Sequence, residues 1–148
     1  MARFLTLDED ESRALLAAAG VRLSRVDADG EPDPALVAEV LPEGQRQVRA
    51  EADIDVPDDV DSGMGAWHVN AVDEVHVVAS GAGVMEFVTI EGPVGVLVEE
   101  GDVVAIRGAE HRYRPLTPQH WVLRFGGPED GDLGATDTGR GPSPWPLP

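Results

Sequence analysis

A chain of 148 residues with 42% hydrophobic residues has the size and composition of one globular domain with one core. Its formal net charge of −17 sets the surface against phosphate backbones and anionic lipid, so neither nucleic acid nor membrane is an expected partner. No stretch nears the ~18 apolar residues of a membrane span. The absence of cysteine removes disulfides, thiolate metal sites and cysteine nucleophiles. The start, MARFLTLDEDESRALL, lacks a basic, then apolar, leader pattern, so the expected location is cytoplasmic.

Arg3 to Leu7 reads as a short strand. Asp8 is a helix N-cap, with Glu9, Asp10 and Glu11 in the first turn where the helix dipole favours them. Leu15, Leu16, Ala18 and Ala19 supply an apolar face, and Gly20 stops the helix. Val21 to Val26 alternates as a half-buried strand. Pro34 opens a second short helix, Ala35 to Leu41, closed by Pro42 and Gly44.

From Val48 the character turns to β. Val48, Ala50, Ala52, Ile54 and Val56 share one face of a strand, and an acidic loop, Pro57 to Met64, follows. Short strands are then expected at Trp67–Val69, Glu74–Ala79, Val84–Ile90, Gly95–Val98, Asp102–Ile106, Arg112–Leu116 and Trp121–Phe125. Gly, Pro and acidic turns separate them, the pattern of a sandwich or closed barrel. The expected organisation is a single domain over 1–126, with an α/β extension over 1–47 and a barrel over 48–126. A Gly/Pro-rich tail, 127–148, is expected to have little regular structure, with Trp145 able to pin its end.

The chemistry concentrates in Trp67-His68-Val69-Asn70 and Asp73-Glu74-Val75-His76, and again at His111. Residues two apart in a strand share a face, so His68 goes with Asn70 and Glu74 with His76. Two neutral imidazoles and a carboxylate suit a first-row divalent metal and leave positions open for substrate or dioxygen. His120, at a strand start after Pro118, reads as a surface residue. Arg124 alternates with Val122 and Gly126, which suggests an inward guanidinium that needs an anionic partner.

These motifs resemble the cupin superfamily, and within it the acireductone dioxygenases. The first family motif reads here as His68-x-Asn70, then Glu74, then Gly81 and Gly83; the second as Gly101-Asp102, an apolar strand through Ile106, and His111. Ala19-Gly20-Val21-Arg22-Leu23 and Val122-Leu123-Arg124-Phe125 with Gly127-Pro128-Glu129 extend the likeness over roughly residues 15 to 130. Asn70 stands where the family has a second His, Arg107 where it has Pro, and His76 where an Arg is usual.

The resemblance implies a mainly β, cupin-type β-barrel (a double-stranded β-helix, or jelly roll). It implies one divalent metal per chain, Fe2+ or Ni2+ first, with Mn2+, Co2+ and Zn2+ also compatible. The implied metal slots are His68, Asn70, Glu74 and His111; His76 and Arg124 would orient a substrate or move protons. The implied activity is a dioxygenase acting on a small enediol or hydroxy-ketone. The departures favour a second reading, a non-oxidative cupin isomerase, cyclase or lyase. A third is a small-molecule-binding cupin without catalysis. Exposed sheet edges would also suit a homodimer.

Overall fold

The computed structural model describes residues 2–5, 8–41, 44, 46–127 and 133–143. Leu7, Pro42, Pro128, Glu129 and Trp145, each given a role by the sequence, lie outside the described residues. The elements run β1 (Arg3–Phe4), α1 (Glu9–Ala18), β2 (Val21–Arg25), α2 (Pro34–Val40), β3 (Gln47–Ile54), β4 (His68–Val69), β5 (Glu74–Ser80), β6 (Ala82–Thr89), β7 (Gly92–Glu99), β8 (Asp102–Ile106), β9 (His111–Pro115), β10 (Gln119–Gly126) and β11 (Thr136–Asp137). No helix is long and apolar enough to cross a membrane.

Both helices begin where expected, the first after Asp8 and the second at Pro34. The Asp8 carboxylate accepts from the Glu11 N–H at 2.9 Å, and Asp33 accepts from the Ala35 N–H at 3.0 Å with Pro34 at the first turn. Gly20 ends α1 at φ 92°, and a Cβ there would sit 2.5 Å from the Arg107 carbonyl oxygen. Only glycine allows that turn and the neighbouring Arg107 N–H to Gly20 carbonyl bond of 2.9 Å.

The strands form two antiparallel sheets, ordered β1-β7-β6-β9-β4-β11 and β2-β8-β5-β10-β3. The main core draws on both: Met85, Phe87, Val96 and Tyr113 from the first, Ile54, Val78, Val104 and Trp121 from the second. The opposite face of the second sheet carries Val75, Val77, Val103 and Ala105, and α2 covers it with Leu36 and Val40. Burying each such side chain contributes about 1.5–3 kcal/mol, which explains why this sheet reads as apolar on both faces around β5 and β8.

Two expectations change. β7 starts at Gly92 rather than Gly95 and includes Pro93; β6 pairs with it over its whole length, Thr89 with Gly92 and Val88 with Pro93. The tail is not irregular throughout. Thr136 and Asp137 pair with Val69 and His68, the Ala71 N–H donates to the Leu133 carbonyl, and the Thr138 N–H to the Trp67 carbonyl. The Trp67 indole donates to the Gly141 carbonyl at 3.0 Å, so Trp67 is the indole that holds this stretch of tail.

Asp102 ties the N-terminal strands to the barrel. It is 1% exposed and accepts from the Ala2 N–H (3.1 Å), the Arg25 guanidinium (2.8 Å) and the Glu99 N–H (2.9 Å). Asp102→Ala leaves two backbone donors without their acceptor and is expected to lower unfolding free energy by about 2–3 kcal/mol in urea melts.

Candidate metal and substrate site

The two sheets contribute different donors. β4 and β9 place His68 and His111 as cross-strand partners, with ring centroids 4.5 Å apart. Each ring sets its Nδ1 against the carbonyl two residues earlier, His68 on Ala66 at 2.7 Å and His111 on Ala109 at 2.8 Å. A carbonyl can only accept, so each Nδ1 carries a proton, which in a neutral ring leaves Nε2 as the atom with the lone pair. From the second sheet, β5 contributes Glu74 and His76 on one face, as their spacing of two requires. Asn70 lies in the connection between β4 and β5.

Glu74 is fully buried. Its Oε1 accepts from the Asn70 amide at 2.7 Å, while the His76 and His111 Nε2 atoms lie 3.1 and 3.5 Å from it. Its Oε2 has no hydrogen-bond partner, and neither ring nitrogen of His76 has one. Burial pushes the Glu74 carboxyl up, but the adjacent His76 and His111 and the Asn70 amide outweigh it and hold the group below the ordinary glutamate value. Burial also pushes His111 down to about 4, against the pull of the Ala109 carbonyl and Glu74. His111 is therefore neutral near pH 7, and its lone pair faces a carboxylate oxygen. The Asn70 N–H is the donor given to Glu74 Oε1, Oε2 receives none, and no arginine among the described residues lines the site.

The donor chemistry thus fits a divalent metal, with His68, Glu74 and His111 as the residues that would hold it. As the side chains stand, no group of three or more His, Asp or Glu among the described residues is arranged to hold one. Asn70, in the slot of the missing imidazole, turns its N–H toward Glu74 instead of presenting an acceptor to the site.

These side chains close one end of a cavity of about 430 Å³. Ile54, Met85, Trp121 and Leu123 line its walls, with Met64 from the acidic loop and Leu133, Ala135 and Asp137 from the tail. The sequence expectations for His68, Asn70, Glu74, His76 and His111 fall together in this cavity. Arg124 does not. Trp121 and Leu123 take the inner face of β10, so Arg124 lies on the outer face, paired with Glu31. The inward reading fails because Val122, on that outer face, packs in the layer under α2 and is no less apolar than the inner residues. His120 is on the surface, hydrogen-bonded to Asp53 at 2.8 Å. The tail residues of the cavity carried no readable signal, since a two-residue strand between glycines has no periodicity.

No family model matches the chain, and no curated protein matches it. Among solved structures, an acireductone dioxygenase from Bacillus anthracis, with a cadmium ion in its active center, superposes with a TM-score of 0.62 at 16% identity, covering 86% of this chain and 93% of that one. The formate complex of oxalate decarboxylase from Lactobacillus farciminis gives a TM-score of 0.48 at 16% identity, over 80% of this chain and 31% of that one. Oxalate decarboxylase from Bacillus subtilis at pH 4.6 gives 0.46 at 13% identity, over 80% and 27%. The chain has the jelly-roll fold of the cupins and resembles the acireductone dioxygenases.

The protonation pattern sets a pH response for the metal-free protein. His111 titrates near 4 when folded and near its ordinary 6.5 when unfolded, so the unfolded chain binds more protons between those values. Stability is expected to be full above about pH 6.5 and to fall by on the order of 3 kcal/mol toward pH 4. Glu74, lowered in the fold, adds a further loss below its ordinary value of 4.5. Urea melts in a chelating buffer from pH 7.5 to 4 check this; in His111→Gln the loss between 6.5 and 4 should shrink.

Proposed function

We propose that the chain is a metal-dependent cupin enzyme that binds a small molecule in this cavity, with His68, Glu74 and His111 as the metal-holding residues. The observation that carries this is the buried Glu74 carboxylate, set 3.5 Å from His111 Nε2 and with its Oε2 free of any hydrogen-bond partner. The activity we assign is an oxygenase reaction on a small enediol or hydroxy-ketone, the chemistry suggested by the likeness to acireductone dioxygenases. Held by these residues, a divalent ion would supply Lewis-acid polarisation of substrate oxygen and, where redox-active, electron transfer.

The chain's own residues supply the rest. Asn70 fixes the Glu74 carboxylate by its N–H, a contact of the kind that orients a metal-holding side chain. The carbonyls of Ala66 and Ala109 fix the tautomers of His68 and His111. His76 has both ring nitrogens unpartnered within the cavity and edges against Trp121 at 5.3 Å, so it is the group placed to take or return a substrate proton. The apolar walls exclude water from the polar end and hold the substrate against it.

A second reading rests on Asn70 occupying the Glu74 oxygen. Here His76 and Glu74 act as a metal-free acid–base pair for an isomerase or lyase. The two part on metal content. Elemental analysis of tag-free protein, reconstituted anaerobically with Fe2+ or Ni2+, is expected to give near one metal per chain, lost in His111→Ala. Asn70→Ala should weaken metal affinity about tenfold in a chelator competition, and oxygen uptake with enediol substrates should require Fe2+ loading. A chain that stays metal-free under all loading conditions removes the first reading and leaves the second.

A further inference from the structure

The cavity has a charge character that the reaction class does not specify. The chain carries eleven arginines and no lysine. No arginine among the described residues lines the cavity; those nearest in sequence to its lining residues, Arg112, Arg114 and Arg124, are engaged with Glu86 and Glu31 on outer faces of the sheets. Among the described residues, the carboxylates that line it on the site side are Glu74, fully buried, and Asp137 from the tail, solvent-exposed at the mouth. Asp137 is the cross-strand partner of His68, so the two side chains share the cavity face. Asp53 contributes to the rim, but its side chain is 91% exposed and turned out to His120.

The walls offer almost no polar contact. Tyr113 and Trp121 each have a polar tip, yet both are spent on one acceptor: the Gln119 carbonyl oxygen takes the Tyr113 hydroxyl and, at 2.7 Å, the Trp121 indole N–H. What these two rings present to the cavity is apolar surface. Burial also holds the Tyr113 hydroxyl protonated far above neutral pH. The polar functions left for a ligand are the imidazoles, Glu74 and Asn70 at one end, with His76 and the Glu74 Oε2 unpartnered.

We propose that this cavity takes an uncharged ligand with an apolar body and one polar head, and that Asp137, carried over the mouth by the tail, turns anions away. This rests on the cavity being the substrate site. Two carboxylates offset the whole charge of one divalent ion, so even a loaded site offers no net positive charge to a carboxylate or phosphate on the ligand body. A carboxylate there would be desolvated against Met85, Leu123 and Leu133 with no donor to meet it.

The test is a matched pair of α-hydroxyacetophenones, one with a para-methyl group and one with a para-carboxylate, titrated by calorimetry at low ionic strength. Both are run on chelator-stripped and on Ni2+-loaded protein, with metal content measured on each sample. The methyl probe is expected to bind about tenfold or more tightly than the carboxylate in both states. Asp137→Asn, whose fold is checked by its melting curve, should narrow that ratio about fivefold. Equal or tighter binding of the carboxylate, no binding of either probe, or a ratio that Asp137→Asn leaves unmoved overturns the proposal. A preference for the methyl probe by protein that takes up no metal upholds it and removes the metal-dependent reading. One metal per chain with the carboxylate preferred does the reverse.

Discussion

A carboxylate sealed from water is stable only if something offsets its charge, and this protein solves that problem twice in different ways. Glu86, on β6, is fully buried on the outer face of the first sheet and receives the guanidinium groups of Arg112 and Arg114 and the Ser143 hydroxyl. Glu74, on β5, is equally buried and receives one amide N–H and the approach of the His76 and His111 rings. In the first arrangement both carboxylate oxygens of Glu86 have partners within the chain. In the second they do not, and the unpartnered Oε2 of Glu74 and ring nitrogens of His76 mark where it is incomplete. The difference between the two glutamates separates a structural ion pair from a site.

The Glu86 cluster also serves the site indirectly. Asp61, from the acidic loop, joins Arg112 and Arg114, and Ser143 brings in the tail. The Arg112 guanidinium lies 5.1 Å from the centre of the Trp67 ring, beside His68, and Arg140 of the tail covers the same ring at 5.9 Å while pairing with Glu110. Loop and tail are therefore held to the first sheet from outside. That leaves Met64 and Leu133 positioned at the cavity mouth by contacts that do not involve the cavity itself.

The fold was legible because most strands follow a period of two and are bounded by turn residues, and because Asp8 and Pro34 open their helices as their chemistry dictates. Glu74 and His76 were legible as a pair for the same reason, spacing of two on one strand; their grouping with His68, Asn70 and His111 came from the motifs the chain shares with the cupins. Arg124 was not, because its facing is fixed by pairing rather than by pattern. In β10, Leu123 registers with His76 and Phe125 with Glu74, which commits the odd-numbered residues to the interior. α2 packs over the other face, so Val122 is apolar as well and the alternation that would reveal the facing is erased. The reach of the tail was invisible for a different reason. β11 is two residues long, and its place depends on hydrogen bonds to Trp67 and Ala71, sixty or more positions earlier in the chain.

The two glycines after β5 show how a motif position can shape the cavity without touching a ligand. Gly81 makes the β5–β6 turn at φ 84°, where a Cβ would fall 2.4 Å from the Pro118 carbonyl oxygen. Gly83 has no such backbone demand. A Cβ there would lie 2.1 Å from the Tyr113 hydroxyl, which is where Tyr113 meets Gln119. A side chain at 83 would push the phenol off its acceptor, return its hydroxyl to the search for a partner, and displace Trp121, whose ring packs 4.3 Å from that of Tyr113. The apolar character of the wall thus depends on an absent side chain behind it. The spacing Gly81-x-Gly83 encodes a turn at its first position and the chemistry of the pocket at its second.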